Sequence, residues 1–237
     1  MNKPFGLHKT VLNKMAKQKL NVGDVFYIEA VKGKFVFGKV FFDVDKQYRK
    51  KEKLQKTELV NSSNKLQGWY AGCLLIEMYT GVSNSIESMQ NNGVLIKRAI
   101  CSIGGLEDQN WGVITNEQVD VKLVSFPETL VRSNDFICID CGELEFKTSL
   151  TEKEYDQLNV SASRIDITSV ADICLNMQGF SDLLEEAYQK KRTMAKYDLM
   201  YHPSIRTKIY KGLNLDPDKS YYELSKEHGF DLKRFYE

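Results

Sequence analysis

No stretch of this chain stays apolar for the roughly 18 residues that a membrane span requires. Its opening, MNKPFGLHKTVLNKMAKQKL, begins basic but has no apolar block behind the charges, so it does not read as an export signal. The expected address is therefore the cytosol. Histidine is scarce: only His8, His202 and His228, none at zinc-ligand spacing with another. Cysteine is odd in number, at Cys73, Cys101, Cys138, Cys141 and Cys174. With no secretory signal, that pattern argues against a disulfide framework and for free, buried thiols. Serine is never found as G-x-S-x-G, and no glycine-rich phosphate loop precedes a helix. No catalytic residue, metal or cofactor is expected from these patterns. Repeats and low-complexity segments are also missing.

What is present is an ordinary globular composition. The 237 residues are 42% hydrophobic and 27% charged, enough for one large domain or a domain with an appendage. Net charge is only +1, but it is unevenly spread. Residues 1–60 carry fourteen Lys and Arg against six Asp and Glu, while residues 61–237 carry nineteen against twenty-six. A basic end and an acidic body fit a charged partner, a nucleic-acid contact, or two solvated faces.

The hydrophobic period divides the chain. Residues 8–20 suit a basic amphipathic helix, stopped by Asn21 and Gly23. Val25–Ile28 and Phe35–Phe42 flank a Gly-containing turn and predict a β-hairpin, with Gly38 marking a bulge or a close backbone approach. Residues 43–67 read as a long, lysine-rich surface excursion, partly helical near 50–59. Further strands are expected over Tyr70–Tyr79, Val94–Ile103, Trp111–Thr115, Val119–Phe126, Phe136–Asp140 and Glu143–Ser149, with a last edge strand at Ile165–Ile167. Capping boxes start helices at Thr151 and Ser220. A helix from Ser181 towards Met200 and another from Pro203 to Gly212 are also predicted. The expected fold is α+β: a mostly antiparallel, barrel-like β-sheet with an N-terminal helix and a C-terminal helical segment. The boundary falls between a β-rich domain, 1–168, and a helical subdomain, 169–237, packed on it.

Few residues suggest chemistry. Cys138-Ile139-Asp140-Cys141 is a lone CxxC in an apparent strand, where i and i+3 face opposite ways; a zinc site needs a second pair. Asp43 with Asp45, and Glu143 with Glu145, alternate along the chain and read as outward faces. Gly104-Gly105 reads as a turn. The alternative to a protein-binding role is a nucleic-acid surface built from Lys34, Lys39, Arg49, Lys50, Lys51 and Lys53, interleaved with Tyr27, Phe35, Phe37 and Tyr48. Alternating aromatics in a strand, however, more often face the core.

The run from Asn21 to Ile28 (NVGDVFYI), followed by Phe35-Val36-Phe37-Gly38-Lys39-Val40, resembles the opening of the immunity-protein-26 family of bacterial polymorphic toxin systems. The similarity covers mainly residues 20–45, with the apolar strand Cys73–Tyr79. It implies a non-enzymatic bacterial protein that binds and neutralises a cognate toxin. Within the matched run, Gly23 and Gly38 are expected to allow tight backbone and Phe26 and Phe37 to fill the core. The resemblance assigns no partner-binding residue. Many toxins of this kind are basic nucleases, which the acidic body at 61–237 would mask.

Overall fold

The computed structural model describes residues 19–53, 65–89, 92–133, 135–161, 164–189 and 193–237. The helix expected at 8–20 lies almost wholly outside them. The predicted hairpin forms: β1 (Asp24–Val31) pairs with β2 (Lys34–Asp43) through the turn at Gly33. Strands β3 (Cys73–Tyr79), β4 (Val94–Ser102) and β5 (Trp111–Asn116) follow. With the two-residue β9 (Ile165–Asp166) they make a six-stranded sheet in the order β5-β1-β2-β3-β4-β9. All its pairings are antiparallel except β4 with β9. A second sheet of three strands holds β6 (Thr129–Ser133), β7 (Phe136–Cys141) and β8 (Leu144–Lys147).

The fold is α+β, but the large sheet is open, with β5 and β9 at its two ends, rather than closed into the expected barrel. Two other expectations need correction. Residues 119–126 are not a strand: the Asp120 carboxylate accepts a hydrogen bond from the Lys122 backbone at 3.0 Å and coils Val121–Leu123 into a single tight turn. The helix predicted from Ser181 is instead a series of short turns, with α3 covering only Glu186–Gln189.

The hairpin explains why the matched glycines matter. A Cβ on Gly38 would sit 2.5 Å from the Glu77 carbonyl oxygen, 2.7 Å from the Met78 sulfur and 2.8 Å from the Phe26 ring. Gly38 therefore marks the close approach; the bulge is at Phe41, where β2 slips one residue against β3. Gly23, at φ +90°, has the Glu117 carbonyl where a side chain would go. Phe26 and Phe37 are buried, as their pattern predicts.

Alternation along the central strands divides the core between the two faces of the sheet. On one face, Val36 and Val40 with Leu74, Ile76 and Met78 meet α2 (Ile167–Met177), whose Val170, Ala171, Cys174 and Leu175 are buried on that side. Phe35, Phe37 and Tyr79 form a small cluster with Val25, flanked by Ile86 and Met89. On the other face, Phe41, Phe42, Cys73 and Leu75 join the second sheet and the C-terminal helices α4 (Pro203–Gly212) and α5 (Tyr221–Glu227). Phe42 packs edge-on against both Phe126 and Phe235. Both larger clusters therefore draw residues from before and after position 168. All five cysteines are free and buried.

Candidate functional site

The structure separates the basic residues singled out from sequence. Lys39, on β2, is buried, and its Nζ donates to Glu117 at 2.9 Å. Arg49 is buried and paired with Asp45 at 2.9 Å. Lys34 donates to the Asn84 side chain at 2.7 Å. Only Lys50, Lys51 and Lys53 stand exposed, in a turn where Lys53 takes a left-handed φ of 53°. Of the interleaved aromatics, Phe35, Phe37 and Tyr48 are buried.

The reason lies in the segment after β2. Val44–Arg49 is a wide helical turn whose start is capped by Asp43, accepting from the Lys46 backbone at 2.8 Å. Asp43 is thus buried, not outward as its alternation suggests. Glu143 likewise turns inward, where it is paired with Arg234. Val44 and Tyr48 fill the core, so this part of the excursion is anchored rather than a solvated loop. Residues 54–64 lie outside the described residues.

When the chain is described again, it has a second anchored feature. Leu66 and Tyr70 are buried, while Trp69 between them is 63% exposed. The turn is tied to the wide helical turn at two points. The Asp45 carboxylate accepts from the Gly72 backbone at 3.0 Å, and the Tyr48 hydroxyl is hydrogen-bonded to the Gln67 side chain. Lys65 holds it from beneath: its buried Nζ lies 3.1 Å from both Thr129 Oγ1 and Asp140 Oδ2. Burial pushes the Asp140 carboxyl up to about 6, against the pull of Lys65. A largely exposed indole and three exposed lysines, paired with no carboxylate among the described residues, thus stand on two segments tied to each other.

A second polar centre lies under a cleft of about 440 Å³ between the sheets and α4/α5. Arg98, in the middle of β4, grips Asp198 at 2.6 and 2.9 Å, Ser125 at 2.8 Å and Glu128 at 3.1 Å. Glu128 also receives Arg206 at 2.7 and 2.9 Å and the Tyr210 hydroxyl at 2.9 Å. Burial raises the Glu128 carboxyl, but the two guanidiniums and the hydroxyl outweigh it and hold it below the usual range. Two cations and two anions cancel within the cluster. It binds β4, the 125–128 segment, the 198–201 turn and α4 into one unit. His202 starts α4 with its Nε2 at 2.8 Å from the Ala195 carbonyl, the helix-start position its place before Pro203 predicts.

A third feature is Glu77 on β3, half-buried near Lys39, Tyr79, Lys97 and Glu117; burial pushes its carboxyl up to about 7. Cys138 and Cys141 of the CxxC both lie buried in β7, and burial drives the Cys138 thiol up to about 11. Among the described residues no group of three or more His, Cys, Asp or Glu side chains is placed to hold a metal ion.

Sequence reasoning passed over Trp69 and Arg98. Both carried a signal: a tryptophan inside the polar run NSSNKLQGWY, and an arginine inside the apolar strand VLIKRAIC. Compared with family models, with curated proteins and with solved structures, the chain matches none.

Proposed function

We propose that this chain is a non-enzymatic protein-binding module, an immunity protein of a bacterial polymorphic toxin system that neutralises a cognate toxin in the cytoplasm by direct binding. The observation that carries the reading is Trp69, largely exposed on a turn whose neighbours Leu66 and Tyr70 are locked in the core. Tryptophan is the side chain most enriched among residues that dominate binding energy, and a rigid base spares the ordering cost of association. The resemblance of the Asn21–Val40 hairpin to the immunity-protein-26 family supplies the kind of partner. The nucleic-acid alternative loses support because Lys39 and Arg49, two of its six basic residues, are buried and paired.

The test places a photo-cross-linking amino acid at position 69 and expresses the protein in its native host with the neighbouring gene product. The expected result is one dominant protein adduct, together with restored growth when that product is toxic. Trp69→Ala should weaken the complex by about thirtyfold, the typical effect of a 2 kcal/mol binding hot spot, with stability unchanged within about 0.5 kcal/mol. No protein adduct at 69, with nucleic acid recovered instead, would overturn the reading.

A further inference from the structure

We infer that the Trp69 turn and residues 50–53 form one docking surface, and that the partner presents to it an acidic protein patch around an indole-sized apolar pocket. The inference rests on the protein-binding reading and adds the chemistry of the partner.

The surface is continuous because its two halves are tied together. Asp45 accepts from both Arg49 and the Gly72 backbone, and Tyr48 is bonded to Gln67, two residues before the indole. The 50–53 turn leaves directly from the end of that wide helical turn. Within it the charges are sorted by direction. The Glu52 carboxylate lies 3.6 Å from Arg234, which is also paired with Glu143. Lys50, Lys51 and Lys53 are exposed, and among the described residues no carboxylate pairs with them. The outward charge of this surface is therefore positive, on a molecule whose net charge is only +1. Complementary carboxylates on the partner would steer association, and the indole would supply the buried anchor.

A single-stranded nucleic acid fits the same positive sign less well. Such strands are held by successive stacked rings along a basic groove. Here one ring is presented, because Tyr48, Phe35 and Phe37 are spent in the core.

Trp111→Phe leaves Trp69 as the sole indole, since the chain has two. In that background, Trp69 emission is followed while a synthetic glutamate-rich peptide with one apolar cluster is added, and separately an oligothymidylate. The expected result is a shift to shorter wavelength with the peptide, weakening as salt rises. The triple variant Lys50→Glu, Lys51→Glu, Lys53→Glu should lose roughly tenfold or more in affinity, about the sum of three reversed rim charges. Reversing Lys211, Lys226 and Lys233 changes net charge equally and should leave affinity unchanged. Thermal melts should match the parent for both triples, as all six lysines are exposed. Equal peptide affinity in the two triples, no emission shift, or tighter binding of oligothymidylate overturns the inference. A protein adduct at position 69 despite such a result would keep the protein-binding reading and remove only the acidic chemistry; no adduct removes both.

Discussion

Glu128 shows how one side chain can decide whether a core holds. It is buried, and it receives hydrogen bonds from Arg206 and Tyr210 and an ion pair from Arg98. Glu128→Ala leaves two guanidiniums facing each other with too little negative charge between them. The expected cost is about 3–5 kcal/mol in urea unfolding, the usual penalty for breaking a buried ion pair from one side. A loss below 1 kcal/mol would mean that water replaces the carboxylate. Glu77 acts in the opposite sense. Its folded carboxyl titrates near 7, against an ordinary value of 4.5, because burial favours the neutral form. Between those values the folded chain holds a proton that the unfolded chain releases, so stability falls as pH rises from about 4.5 through 7. Asp140 contributes in the same direction between 3.8 and about 6. Melting temperature followed across pH 4.5–8 should decline, and Glu77→Gln should flatten the upper part of that decline. An identical profile in the variant would show a solvated carboxylate. At Gly38, where a methyl would meet backbone and ring within 2.8 Å, Gly38→Ala should cost about 1–3 kcal/mol or more by overpacking.

At the scale of elements, what was legible in sequence was what local chemistry decides. Thr151 with Glu154 and Ser220 with Glu223 form complete capping boxes, and α1 (Glu152–Leu158) and α5 start where those residues stand. Thr151→Ala and Ser220→Ala should each cost about 1 kcal/mol, seen as faster amide exchange in the first turn of the affected helix. Pro203 and Gly212 likewise bound α4 as their residue types predict. What was illegible depends on distant partners. Helix α2 has β-branched residues, Ile, Thr and Val, at its start and no side-chain cap, so nothing local announces it; it forms because its apolar face is buried on the sheet. Strand β6 follows Pro127 within two residues and exists through its pairing with β7. The open sheet was illegible too, since strand order is a matter of pairing between distant segments. The candidate site was partly visible: the lysines at 50–53 stand out in the composition, but which of the six basic residues stay free is settled by burial in the core.

For the whole molecule, β2 is a shared wall. One part of it serves the α2 cluster, and its far end serves the cluster that holds α4, α5 and the second sheet. Neither cluster survives loss of that strand, so unfolding should be a single transition with coincident far- and near-ultraviolet dichroism; two separated transitions would show that the clusters are independent. The last residues belong to the same wall. The Tyr236 hydroxyl donates to the Phe41 carbonyl at 2.6 Å, Gln47 donates to the Phe235 carbonyl at 3.0 Å, and the Phe235 ring packs on Phe42 and Tyr48. A chain emerging from the ribosome therefore presents the bulged end of β2 long before its lid exists, because 195 residues separate Phe41 from Tyr236. Until residue 236 is free, Phe41 and Phe42 remain open to neighbouring polypeptides, and the nascent chain at that stage is a natural client for a chaperone.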